Sequence, residues 1–469
     1  MYNSKLIHIL QVLNTEEREA LKKWLYSPVH NQRQDRLQLL LYLLSKRKLT
    51  PRTTAVLPAY QQVYGVVPYE DKKWKRLMNL CVQLLEDFIH FLVQKREAFS
   101  KQKALISFFQ QHKLHKYTQQ YLKKAQAQQA QITAHNSLYF QQQLELENWY
   151  FEYQNSTTGN KTTNLQALFD NSYLAFMLQT LHYACAAITH QRLYNSTYTI
   201  PLLEPILTAI GQGEYQAVPS VQLYYHALMA LREPSQESYF ETLQQLLSQH
   251  YEALPPKEIK GLYVIAINYC VQQLNNGIEK YVRAVFDLYQ YGLEHSILVE
   301  QAILSRFTYK NIVAAGIRLQ EYDWVIQFIE TYTPLLEVDY QKTYSLYAKA
   351  KLHFAQEKFD HTLSLLTQVE FDNLFLNMDA KTMLLKIYYE KGDFEALDSL
   401  LISFQKFLQR KSIVAYQQQI HKNMIKLTKK LIYLPLLPDK AVLQELKQEI
   451  LATNPLTEKP WLLAQLEKF

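Results

Sequence analysis

The stretch from Ile387 to Leu401, IYYEKGDFEALDSLL, decides the fold. A Tyr-rich apolar run breaks at Gly392-Asp393, restarts at Phe394, and continues with Leu397, Leu400 and Leu401 at helical spacing. That is a helix, a tight turn and a second helix. Working backwards, FAQEKFDHTLSLL places Phe359 in the matching position 35 residues earlier, and IRLQEYDWVIQFI places Tyr322 there 37 residues before that. The second helices then read Leu363, Leu365 and Leu366 in one copy and Val325, Phe328 and Ile329 in the other. Two weaker copies precede them: a break at Asn275-Asn276-Gly277 with a restart near Tyr281, and one at Pro234-Ser235 with a restart near Phe240. The restarts lie 41 residues apart at first and 35 at the end. Periods of this length belong to helical hairpins, each of which buries its apolar face only by stacking on a neighbour.

Tyr388, Gly392, Asp393 and Phe394 stand where tetratricopeptide (TPR) repeats carry a first-helix aromatic, a turn Gly-Asp and a second-helix aromatic. Residues 305 to 410 or so resemble that family, although Thr362 and Leu397 occupy its usual second-helix alanine position. The whole chain is also similar to an uncharacterised group of bacterial helical proteins, through LNTEEREALKKWLYSPVHN, AINYCVQQLNNG and FTYKNIVAAGIRLQEYDWVIQFIE. The resemblance implies a right-handed, TPR-like α-solenoid and supplies no activity.

Composition agrees with an all-α chain and narrows its chemistry. The 469 residues include only nine glycines, which argues against glycine-rich phosphate loops, while 35 tyrosines suit helix seams or binding surfaces. Three cysteines, Cys81, Cys185 and Cys270, are too few and too scattered for a disulfide framework or a zinc site. The start, MYNSKLIHIL, lacks the apolar core of a signal peptide, and no run of 18 apolar residues occurs. A cytoplasmic protein without membrane contact is expected. The net charge of +7 is uneven: residues 1–125 carry 22 Lys/Arg against nine Asp/Glu, and the remainder is acidic.

Four regions are expected: a basic helical N-terminal domain (1–100), an irregular helical region (101–215), TPR-like repeats (216–410) and C-terminal capping helices (411–469). Near the start, Asn14 and Glu17 form a capping box, Pro28 closes that helix, and Asn31 is positioned to cap the next. The polar run KKAQAQQAQITAH reads as exposed helix, and NSTTGNKTTN (155–164) as a loop.

No nucleophile elbow, dinucleotide fingerprint, His-Glu-x-x-His or Cys-x-x-Cys occurs, so neither an enzyme nor a bound cofactor or metal is expected. Gly211-Gln212-Gly213 reads as a helix end. His112 and His115, three apart on what reads as one helix, have metal-ligand spacing but stand beside Lys113 and Lys116, which repel a cation. Asp87 and His90 read as an ordinary intrahelical pair. The most pointed feature is Lys72, Lys73, Trp74, Lys75 and Arg76 at a helix start, where positive charge opposes the helix dipole. These five are the candidate contact for a polyanion or a partner, with Trp74 either stacking on bases or buried in the core. The expected function is non-catalytic binding of a protein or peptide as a scaffold or adaptor. The alternative is nucleic-acid binding through the basic N-terminal domain.

Overall fold

The computed structural model describes residues 1–158, 163–194, 196–368, 373–410, 415–434 and 439–469. The protein is all-α, and among the described residues β structure is confined to Val299–Glu300 paired antiparallel with Ile303–Leu304. Also among the described residues, no helix is long and apolar enough to cross a membrane. The chain divides into two compact units, Met1–Met177 and Leu178–Phe469.

In the first unit α1 (Lys5–Val12), α2 (Thr15–Tyr26), α3 (Gln34–Leu44), α4 (Val56–Tyr64) and α5 (Asp71–Arg96) enclose one apolar core running from Leu6 to Phe88. The Asn14–Glu17 capping box forms as the spacing requires. Asn31 does not cap α3. It is buried, and its amide donates to the Leu25 carbonyl (3.2 Å) while its oxygen accepts from the Arg33 N–H (3.2 Å), so it ties the loop between α2 and α3 instead. A second cluster, with Ile106, Leu122 and Trp149, is built by α6 (Ala98–Gln111), α7 (His115–Gln129) and α8 (Ser137–Thr158). The polar run is helical only as far as Gln129. Residues 159–162 of the expected loop lie outside the described residues. The division between the units falls inside α9 (Leu165–Tyr194).

The second unit opens with α10 (Leu203–Gly211). Five hairpins follow: α11 and α12 (Pro219–Arg232, Glu237–Gln249), α13 and α14 (Pro256–Asn275, Tyr281–Glu294), and α15 and α16 (Arg306–Arg318, Tyr322–Tyr332). The last two are α17 and α18 (Val338–Ala355, Phe359–Leu366) and α19 and α20 (Leu374–Glu390, Phe394–Arg410). Then come α21 (Ala415–Ile432), α22 (Lys440–Ala452) and α23 (Lys459–Leu466). Tyr281, Tyr322, Phe359 and Phe394 are each the first residue of a second helix.

Four of these hairpins turn in the same way. Gly277, Gln320, Glu357 and Gly392 adopt left-handed backbone (φ 85°, 59°, 58° and 70°) just past the first helix. The next residue's N–H then reaches five residues back, from Ile278 to Gln273, Glu321 to Gly316, Lys358 to His353 and Asp393 to Tyr388, at 2.9–3.1 Å. This is the Schellman arrangement, which satisfies carbonyls that the helix end would leave open. Ion pairs join consecutive hairpins near the turns: Lys280–Glu237, Arg318–Glu279, Arg283–Glu321 and Lys391–Asp360. They are largely exposed and so align the hairpins more than they stabilise them.

The larger stabilisation is apolar. Val325, Phe328 and Ile329 are essentially inaccessible, and burying each such side chain contributes about 1.5–3 kcal/mol. Gly316 lets α15 and α16 approach, because a Cβ there would lie 2.5 Å from Val325 Cγ2 and 3.1 Å from the Phe286 ring. In α18 the fully buried residues include Thr362, whose hydroxyl donates to its own helix at Lys358 O (3.1 Å), whereas Leu363 and Leu365 are half-buried.

Gln320 and Glu357 carry the steric cost of left-handed backbone, which glycine avoids. Gln320→Gly and Glu357→Gly should each raise the unfolding free energy by about 0.5–1 kcal/mol, and Gly392→Ala should lower it by about 1 kcal/mol. Urea midpoints at unchanged m-value check this.

Candidate functional site

The basic cluster occupies the first turns of α5, where about 100° per residue separates successive side chains. That spacing puts Lys72, Lys75 and Arg76 together on the side opposite Trp74, Leu77, Cys81 and Leu84, and the three cations are exposed accordingly. Trp74 must be withdrawn from the candidate interface. It is 2% exposed and packs in the core with its ring 5.7 Å from that of Tyr60, so stacking on a base would require unfolding the helix. Lys75 pairs with Asp71 (2.8 Å), and that hydrogen bond raises the lysine's pKa and lowers the carboxyl's. The Lys73 ammonium lies 4.1 Å over the Tyr64 ring. For Lys72 and Arg76 no partner is seen among the described residues.

The histidine pair also comes apart. Lys113 takes left-handed backbone (φ 55°) between the end of α6, which His112 caps, and the start of α7 at His115, so the two histidines do not share a helix. His112 packs on Phe108 (4.4 Å between ring centroids), and among the described residues no three His, Cys, Asp or Glu side chains are grouped to hold a metal. Gly213, left-handed at φ 99°, closes α10. Cys81, Cys185 and Cys270 are buried and free, their thiols pushed up to about 12 by desolvation.

Apart from Phe328, the hairpins assemble two surfaces from residues that the sequence pattern did not single out. The second helices leave grooves between them. One of about 340 Å³ lies between α12 and α14, with Glu241, Gln244, Gln245 and Asp287 around Tyr263, Leu288 and Tyr291. Tyr291 spans its end by donating to the Ser248 carbonyl (2.6 Å). The next, about 220 Å³, lies between α14 and α16, with Gln290, Glu294 and Gln327 around Leu293, Trp324, Phe328 and Tyr332. Neither lining contains a lysine or arginine. Burial holds the Asp287 carboxyl above the usual carboxylate range, against a weak pull from Arg283 at 3.9 Å.

The first helices gather charge and tyrosine. On α17, Tyr340, Tyr344, Tyr347 and Lys351 follow one another at three- and four-residue spacing, which keeps them on one face. The Arg306 guanidinium of α15 lies 3.9 Å over the Tyr340 ring. Asp379 of α19 accepts the Tyr347 hydroxyl (2.7 Å) and the Lys310 ammonium (3.2 Å) at the same oxygen, Oδ2. Lys386, also on α19, pairs with Glu458 and lies over the Phe354 and Trp461 rings.

No family model, curated protein or solved structure matches this chain.

Because Trp74 is a core residue, Trp74→Ala should cost about 3–5 kcal/mol of stability in chemical denaturation. Replacing the exposed Lys72, Lys75 and Arg76 together with Gln should shift stability by less than about 1 kcal/mol. Equal costs for the two variants would contradict the placement.

Proposed function

We propose that the hairpins continue as a right-handed, TPR-like α-solenoid carrying a basic helical N-terminal domain, and that the protein is a non-catalytic, cytoplasmic binder of protein or peptide partners. The observation that supports this is the pair of consecutive grooves on the second helices. Each is lined by aromatic rings together with glutamine and carboxylate side chains, and the two follow one another along α12, α14 and α16. Aromatic surface supplies contact area at low entropic cost, and glutamine and carboxylate side chains supply hydrogen bonds and a preference for cationic residues. The resemblance of residues 305–410 to TPR repeats points the same way.

A second reading has its own support: Lys72, Lys75 and Arg76 share one solvent-facing side of α5, an arrangement suited to phosphate contacts. It attributes nucleic-acid binding to the N-terminal unit. In a salt titration against labelled DNA or RNA, the slope should then flatten by about one unit for every cation–phosphate pair that substitution with Gln removes.

Selection of random peptides on the full chain separates the two. The protein-binding reading expects enrichment of sequences pairing aromatics with Lys or Arg, reduced on the order of tenfold for a Gln244→Arg, Gln290→Arg variant of unchanged stability. Absence of enrichment, or identical selections by both chains, would contradict it.

A further inference from the structure

We infer that the first-helix face carries an oxyanion site centred on Lys351, built for the carboxylate or phosphate oxygens of an acidic ligand. Three ammonium groups, Lys310, Lys351 and Lys386, come from three successive first helices, and two carboxylates, Asp379 and Glu458, meet them. Lys310 is paired with Asp379 and Lys386 with Glu458. Lys351 shares Asp379 with Lys310, so three cations face two carboxylates. Its hydrogen bond to the Tyr347 hydroxyl is long, 3.4 Å, and that hydroxyl spends its proton on Asp379. Among the described residues no carboxylate lies within ion-pair distance of it.

A surplus ammonium in such surroundings is costly unless something compensates it. Desolvation is the first influence on Lys351 and holds its pKa below the ordinary lysine value; Asp379 and Glu458 pull it back up, while Lys310 and Lys386 push it further down. Desolvation is the largest single influence at Asp379 too, but Lys351, Lys310 and the Tyr347 hydroxyl together outweigh it and hold the carboxyl below its ordinary value; that side chain keeps 39% of its exposure and Lys310 keeps 26%. Lys310 and Asp379 are thus crowded by protein yet partly open to solvent, so a ligand can approach them. An incoming oxyanion would accept from the unused Lys351 donors and bring the local charge from positive to neutral. A cationic ligand would meet the surplus charge and be repelled. The site is separate from the second-helix grooves, so either can fail while the other stands.

The test uses the full chain, with phosphate, a tetraglutamate peptide and chloride titrated at matched ionic strength and followed by calorimetry and thermal shift. Phosphate or tetraglutamate should bind and raise the melting temperature where chloride does not. Lys351→Met should weaken that binding by on the order of tenfold or more, as expected when a charge-assisted hydrogen bond is removed, while folding at least as well as the parent. Lys351→Arg, which keeps the charge, should retain binding. If Lys351→Met does not fold, protection of Lys351 from acetylation by the same ligands, read by mass spectrometry on the unmutated chain, gives the answer. Tetraglutamate binding more tightly than phosphate assigns the site to an acidic polypeptide, and the reverse order assigns it to a small free anion. Equal binding by Lys351→Met and the parent, no response beyond chloride, or no protection of Lys351 would overturn the site.

Discussion

The left-handed turn that ends a first helix is the constraint on which the second unit depends. At Gly277, Gln320, Glu357 and Gly392 one residue with positive φ reverses the chain and sends the next N–H back to a carbonyl five residues earlier. The second helix begins with an aromatic ring two residues later at Tyr322, Phe359 and Phe394, and four residues later at Tyr281. Ion pairs such as Arg283–Glu321 connect neighbouring hairpins close to these turns. Gly316 shows how closely that packing is set, since one added carbon would collide with Val325.

The alternation of first and second helices also sorts the surface. Second helices face second helices across the grooves at Tyr263 and Leu293, where every charged lining residue is acidic. First helices bring Lys310, Lys351, Asp379 and Lys386 together from three hairpins. The two surfaces thus differ in sign although they come from the same structural unit, and the overall charge of the chain describes neither of them.

Periodicity made the hairpins legible. The aromatic restarts at Tyr322, Phe359 and Phe394 located three second helices to the residue, because an aromatic beside a polar break marks the turn, whereas Phe240 lies three residues inside a helix that begins at Glu237. The break points themselves were less legible. Gln320 and Glu357 occupy left-handed backbone without being glycine, and Lys113 does the same between His112 and His115, which for that reason do not share a helix. Trp74 was decidable in principle, since its spacing to Leu77, Cys81 and Leu84 is that of one buried stripe. The lysine face was not, because Lys310 and Asp379 meet across 69 residues and no local pattern links them; the nearest signal was Tyr340, Tyr344, Tyr347 and Lys351 along one helix. Asn31 had capping chemistry, yet burial gave it two backbone partners in the loop instead.

The most direct measurement of this account is a pair of internal deletions compared by circular dichroism during thermal unfolding. Removing residues 321–357 joins one left-handed turn position to the same point one hairpin later, so the remaining helices can restack in register. Removing residues 339–357 leaves α16 without its neighbour and exposes an apolar face. The first chain should stay soluble and helical and unfold cooperatively, and the second should lose cooperativity or aggregate. Comparable damage from both would contradict the claim that equivalent turns set a modular stack.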